Sequence, residues 1–462
     1  MTSLNACRSL IVQTCGGLSS EREPVEACLF KGCAVINDRT TIVSSLAAIS
    51  IGFMPVWMVL LPLDITSDPE NWQIFVRGNF LAVTLVEMLF VLAAMLGVFS
   101  PFNAIKQLPT LSKIAILIWI SVTCLVSFQP GKDDLATFIG LLRLLSAALF
   151  FLALISLKNS LGPSFMISLW QAIGLGFLLY VGLWSFHIYI NAPQGDDWVT
   201  RIPGVNNVRH TGHFAFAGIC AGLFGLISLQ GGRHVWSKWA LVVSFGSTGL
   251  GLALWTGSRG PFLASLTAVL VTFCVAAEHR KKIAGFFVLS ALAATAVVSL
   301  LPVPHQIYGI YGATGAADIA EIDQADGSSG RTELWSGTMD KILERPIFGW
   351  GLNQFDASGP SKPAHFFHPH NSPLQIMFSG GIVSILLVVF MIFPALRRWS
   401  WPYTGGSSAA GVGAVVGILV YSLYDGALYF GYPIMIFLVA VVSSIAPITT
   451  HPPPCNSDQI IT

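Results

Sequence analysis

Three histidines, His365, His368 and His370, stand in an H-x2-H-x-H spacing just ahead of a long apolar run. Imidazole can ligate a metal, and near neutral pH it can also take a proton from a hydroxyl. Loop spacing of this kind could reach one zinc, but a metal centre wants a further ligand and a supporting shell, which the spacing does not supply. The expectation is therefore no metal and no cofactor. His370 is the candidate general base, weighed against the commoner case of a loop histidine that is simply solvated. Asn371 beside it could orient the imidazole, although capping the helix that follows is the more usual work of an asparagine there.

Arginines form the second group. Arg331 precedes a stretch in which Leu334, Trp335, Met339, Ile342 and Leu343 recur at helical spacing, while Glu333, Asp340, Lys341 and Glu344 take the other face and Pro346 ends the run. A cation at a helix N-terminus is disfavoured by the helix dipole, so something negative is expected beside Arg331: a local carboxylate such as Glu333 or Asp326, or a phosphate. Arg259 lies in Thr256-Gly257-Ser258-Arg259-Gly260-Pro261, between two apolar runs, where glycines leave the backbone open to a ligand. Arg201 and Arg209 lie in a loop dense in donors that ends Arg209-His210-Thr211-Gly212-His213. Guanidinium forks there suit phosphate oxygens, and the Asn and Thr residues equally suit ordinary capping.

These side chains must be positioned by membrane-spanning helices. Of the 462 residues 54% are hydrophobic and only 10% charged, against roughly 25% charged in soluble domains. Several apolar runs exceed the ~20 residues that cross a bilayer as helix, and none alternates as a barrel strand would. The fold class is thus all-α and polytopic, with about twelve spans near 42–62, 79–99, 114–128, 135–157, 165–190, 213–229, 239–256, 260–277, 283–301, 374–396, 410–428 and 431–448. The organisation is a cytoplasmic tail over 1–40, nine spans over 41–301, a large exported loop over 302–373, three spans over 374–448 and a cytoplasmic tail over 449–462. Most Lys and Arg residues then fall inside, including Arg280, Lys281, Lys282, Arg397 and Arg398, as the positive-inside rule requires. Nine basic residues fall on the outer side, Arg201, Arg209, Arg259 and Arg331 among them. A net charge of +1 argues against nucleic acid as a partner.

Two charges lie roughly 12 to 14 Å deep at ~1.5 Å per residue: Glu87 and Arg143. An ion pair is the economical reading. Asp425, with Tyr421, Tyr424, Tyr429 and Tyr432 around the last hairpin, could hydrogen-bond a sugar, but an interfacial aromatic belt is the simpler expectation. Four of the eight cysteines lie in the leader, three (Cys124, Cys220, Cys274) in spans and Cys455 in the tail, so no disulfide is expected.

The order Gly330-Arg331, Leu334-Trp335, Pro346, Gly349-Trp350-Gly351 and His370-Asn371 before a hydrophobic helix, with Ser258-Arg259-Gly260 upstream, resembles the C-terminal signature of the O-antigen ligase and polysaccharide polymerase superfamily. The resemblance covers roughly Arg201 to Gly381 by motif. It implies a glycosyltransferase of the bacterial inner membrane, with its active site facing the periplasm. Such an enzyme moves a glycan from a polyprenyl-pyrophosphate donor to an acceptor hydroxyl, on lipid A core or on another glycan, without a metal. Arg259 and Arg331, with Arg209 and Arg201, would hold the pyrophosphate and His370 would serve as base, with Asn371, Glu333 and His368 in support. A single displacement would invert the anomeric centre. Many relatives have an acid in the helix after His-Asn, where this chain has Ser379; Glu333 is the expected substitute. Polymerase and protein O-oligosaccharyltransferase activities on the same scaffold stay open. A secondary transporter for an anionic solute is the rival from another class, with no visible pairing of broken-helix halves to favour it.

Overall fold

The computed structural model describes residues 45–60, 72–97, 99–107, 110–128, 133–191, 210–229, 234–301, 331–360, 368–397 and 406–445, with positions 42, 205 and 309–310. Arg201, Arg209, Asp326, His365, both tails and the Gly/Asp-rich segment 311–329 lie outside the described residues. All regular structure among the described residues is helical. Helices follow the apolar runs: α1 (Met54–Leu60), α2 (Trp72–Gly97), α3 (Pro101–Gln107), α4 (Thr110–Ser127), α5 (Asp134–Leu161), α6 (Pro163–Asn191), α7 (Thr211–Ile227), α8 (Val235–Trp255), α9 (Arg259–Val275) and α10 (Arg280–Leu300). After them come α11 (Arg331–Glu344), α12 (Phe355–Ser358), α13 (Ser372–Arg397), α14 (Gly406–Asp425) and α15 (Gly431–Ser444).

Four described helices are long and apolar enough to cross a membrane: Asp134–Leu161, Pro163–Ile190, Ala277–Leu300 and Ser407–Asp425. Shorter apolar helices pack among them. α7 is apolar all round and every one of its residues is buried, which makes it the central post of the bundle, enclosed by α6, α8, α9 and α14. The N-terminal turns of α7 and α9 touch, since a Cβ on Gly212 would sit 2.2 Å from the Pro261 ring. The starts of α7 and α9 therefore meet in one corner of the molecule.

Glu87 on α2 and Arg143 on α5 meet as a buried ion pair, with Ser146 Oγ donating to Glu87 Oε2 at 2.7 Å. Low dielectric makes an unpaired charge there prohibitive, and the economical sequence reading holds. A smaller apolar nucleus fastens the surface helix α11 to the bundle: Leu334 and Ile342 pack with Phe355 and Phe378. Its buried stripe runs Leu334, Thr338, Ile342, whereas Leu343 is exposed.

α13 is broken at Gly381, whose φ of 62° and ψ of −162° lie where only glycine is comfortable. The break frees two carbonyls and two amides, and the loop around Pro346–Gly351 satisfies all four. Trp350 N–H donates to Phe378 O at 2.7 Å and Gly351 N–H to Ser379 O at 2.9 Å, while Ile382 N–H donates to Pro346 O at 2.9 Å and Val383 N–H to Ile347 O at 3.3 Å. Buried backbone without water must be paired in this way. Close approach explains the glycines: a Cβ on Gly349 would meet Phe378 O at 2.5 Å, and one on Gly381 would meet Ile347 C at 2.3 Å. Pro346 to Gly351 is thus a clasp on the broken helix, which sets the height of the His370 loop just upstream.

Gly381→Ala and Gly162→Ala test this account together. Gly162 also has a positive φ, 78°, but a Cβ there meets nothing within 4 Å. Backbone strain of order 1–3 kcal/mol applies to both, while only Gly381→Ala also pushes the clasp away. Thermal unfolding in detergent should show a clearly larger loss of Tm for Gly381→Ala, and equal losses would refute the clasp.

Candidate functional site

The last turn of α14 and the loop before α13 face each other, and of the predicted residues Arg331, His368, His370 and Asn371 meet there. Asp425 Oδ1 lies 3.4 Å from His370 Nδ1 and 3.6 Å from Arg331 Nη2, so one carboxylate joins the imidazole and the guanidinium. Arg331 Nη1 also donates to the Tyr424 carbonyl at 2.5 Å. The negative partner expected beside Arg331 therefore exists, but it is not local. Glu333 is exposed and points away; helical geometry from Arg331 sends it to the outer face of α11. Asp425, 55 residues beyond His370, is the carboxylate in contact with its ring.

His370 is itself in the left-handed region, φ 51°, a conformation that costs a non-glycine residue and persists only where neighbours fix it. Several do. His370 N–H donates to His368 Nδ1 at 3.1 Å, and Trp335 Nε1 donates to Pro369 O at 2.8 Å. Asn371 Oδ1 accepts from Leu374 N–H at 3.0 Å, the capping role, and its Nδ2 donates to Leu423 O at 3.0 Å. Ser372 Oγ accepts from Leu428 N–H at 3.1 Å. Gly426, φ 59°, lets the turn after α14 come close, since a Cβ there would be 3.0 Å from His368 Nδ1.

Arg259 is exposed at the first position of α9. Its neighbour Gly260 lies against the same cluster: a Cβ on it would meet Tyr421 Cε2 at 2.8 Å and Asp425 Cβ at 3.4 Å. Arg259, Arg331, Asp425 and His370 thus share one corner. Positive N-termini of α7, α9 and α11 converge there with the guanidinium groups, which favours an anion.

The tyrosines depart from the belt expectation. Tyr421 and Tyr432 are buried at 1% and 2% exposure, and Tyr429 stacks on His368, ring centroids 4.3 Å apart and planes at 16°. Only Tyr424 is exposed, at 48%. Two histidines that the sequence did not single out complete the site. His210 and His213 stack at 5.5 Å, and both rings lie against Phe430, as does that of His368. Their only sequence signal was proximity to Arg209, with i, i+3 spacing at the start of a helix. Among the described residues no cluster of His, Cys, Asp and Glu has metal-binding geometry.

Burial sets the charge state of two of these rings. Desolvation pushes His210 down to about 4, opposed in part by Asp425 and aided by His370. Burial, with His370, the other two imidazoles and Arg331 adding to it, holds His368 well below the usual histidine range. Both are neutral at pH 7, and His368 Nδ1 is free to accept from the His370 amide.

Residues 243–389 match the family model described as O-Antigen ligase. An O-antigen ligase of Pseudomonas aeruginosa is 32% identical over 151 residues, which is 33% of this chain and 32% of that protein. A putative polysaccharide ligase of Rickettsia conorii is 30% identical over 81 residues, 15% of this chain and 20% of the other. The matches span about a third and a fifth of these two relatives. The family match holds Arg259, Arg331 and His370 and ends before Asp425.

A depressed histidine pKa means that the unfolded chain binds more protons than the folded one, so stability rises with pH. Above about 6.5 both states are neutral and nothing is contributed; below it the unfolded state gains protons that the folded site refuses. The unfolding midpoint in detergent should fall as pH drops from about 6.5 to 5, ahead of carboxylate titration. His210→Phe should flatten that fall; a midpoint indifferent to pH in this window would contradict neutral burial.

Proposed function

We propose, for a chain whose residues 243–389 match the family model described as O-Antigen ligase, that it is a multi-pass bacterial membrane glycosyltransferase using a polyprenyl-pyrophosphate-linked glycan. The observation that carries this reading is the Arg331–Asp425–His370 chain beside Arg259. The donor's lipid tail lies along the spans and its pyrophosphate meets Arg259 and Arg331, with Arg209 and Arg201 on the preceding loop as further contacts. Arginine forks and helix N-termini stabilise charge as it develops on the departing pyrophosphate. This electrostatic work is what a metal would otherwise supply, and the reading requires none.

Asp425 on Nδ1 selects the tautomer whose Nε2 carries the lone pair, the same logic by which a carboxylate orients a catalytic imidazole elsewhere. His370 Nε2 takes the acceptor hydroxyl's proton while that oxygen bonds to the anomeric carbon and the bond to pyrophosphate breaks. The proton stays on His370 and the electron pair leaves with the diphosphate, so one displacement inverts the centre. At 3.4 Å the His370–Asp425 contact is longer than a tight hydrogen bond, as is common before substrate is bound. The acceptor is a hydroxyl of lipid A core, and the site faces the periplasm.

Reconstitution with a polyprenyl-pyrophosphate glycan and lipid A core, without nucleotide and in excess chelator, should yield the transferred product with inverted linkage. His370→Ala and Asp425→Asn should each lower turnover by roughly 10²-fold or more while keeping donor binding, and Arg259→Ala should weaken donor binding itself. Full turnover by the His370 variant, or retention of configuration, would sink the mechanism.

A further inference from the structure

The intramembrane ion pair ends in an unexpected place. A carboxylate and a guanidinium form their strongest contact side by side, with two parallel hydrogen bonds. Arg143 does not do this. Its Nη1 pairs with Glu87 Oε2, but Nη2 turns to the Gly431 carbonyl at 2.9 Å. Glu87 Oε1 and Arg143 Nε are buried with no hydrogen-bond partner among the described residues. Geometry is given up at the carboxylate in order to hold a backbone atom on another element.

Gly431 is the first residue of α15 and directly follows the 3-10 turn Ala427–Tyr429 and Phe430. α2 braces it as well, since a Cβ on Gly431 would lie 3.0 Å from Val83, one helical turn before Glu87. The turn carries Tyr429, stacked on His368, and Phe430, against which His210, His213 and His368 all pack. His368 in turn accepts the amide of His370. A continuous set of contacts therefore runs from the ion pair to the backbone of the base.

We propose that Arg143 is a positioning residue: braced by Glu87, it tethers the Gly431 carbonyl and so fixes the aromatic turn that holds His368 and, through it, His370. The ion pair's service is placement of the site rather than net stability. Buried pairs contribute little stability beyond apolar residues of equal volume, whereas loss of placement near a reacting centre is felt strongly. The catalytic part of this inference rests on the function proposed above; the tether itself does not.

Two variants separate the possibilities. Arg143→Lys keeps the charge against Glu87, but a single ammonium lacks the fork that reaches Gly431 as well. Glu87→Met with Arg143→Met removes pair and tether together while filling the space. Both should melt close to the parent, and both should exchange amide hydrogens faster over residues 426–431. Turnover should fall by roughly 10-fold, a modest share of what ~1 Å of misplacement can cost, with donor KM unchanged. Unaltered exchange at 426–431 in a folded variant overturns the tether. Unaltered turnover in a variant whose exchange has risen overturns its catalytic consequence, and so does a parallel loss of melting temperature, KM and turnover in both. If the parent protein and His370→Ala are equally inactive, the functional reading has failed instead, and exchange alone judges the tether.

Discussion

Everything at the candidate site depends on how the C-terminal end of α14 is satisfied. A helix leaves its last carbonyls without intrahelical donors, and the negative end of its dipole is concentrated there. At the edge of a bilayer, water is an unreliable partner. In this protein Asn371 takes the Leu423 carbonyl, Arg331 takes that of Tyr424, and the side chain of Asp425 receives both Arg331 and His370. One helix end thus recruits a residue from α11 and two from the loop before α13. The requirement to pair those groups is the same requirement that brings His370, Asp425 and Arg331 together.

The clasp at Gly381 serves the same end from the other side. Breaking α13 and pairing its freed groups with Pro346–Gly351 ties α11 to α13 through backbone, and the small apolar nucleus around Phe378 locks the joint. Arg331 at one end of α11 and His370 just ahead of α13 then cannot drift apart independently. Gly349 and Gly351 of the signature are accounted for by positive φ and close packing, Gly349 against Phe378 and Gly351 against Ser127.

Much of this was legible in the residues. Apolar runs located the helices, the amphipathic period located α11, and the dipole argument demanded an anion near Arg331. Asn371 caps its helix as its residue type suggested. What sequence could not give was the identity of partners far apart along the chain. Nothing local to Asp425 distinguishes it from an interfacial polar residue, and a helix apolar on every face does not reveal which tyrosines point inward. Tyr421 and Tyr432 lie in the core without a local signal that says so, and the carboxylate beside His370 comes from Asp425 on another helix rather than from Glu333. His210 and His213 were hidden similarly, since their significance comes from Phe430, more than two hundred residues later.

Asp425 cannot serve Arg331 and His370 equally at every stage of the proposed reaction. Before donor arrives, the carboxylate offsets the charge of Arg331 in this half-buried corner. A pyrophosphate offers Arg331 more negative charge and better fork geometry than a 3.6 Å contact provides. Once it takes that place, Asp425 is left to His370, the ring that must become cationic as the hydroxyl is deprotonated. Donor binding then strengthens the partner of the base before any acceptor is engaged. A carboxylate bound only to His370 would favour the imidazolium at all times; in the proposed reaction, one shared with Arg331 reserves that support for the loaded site.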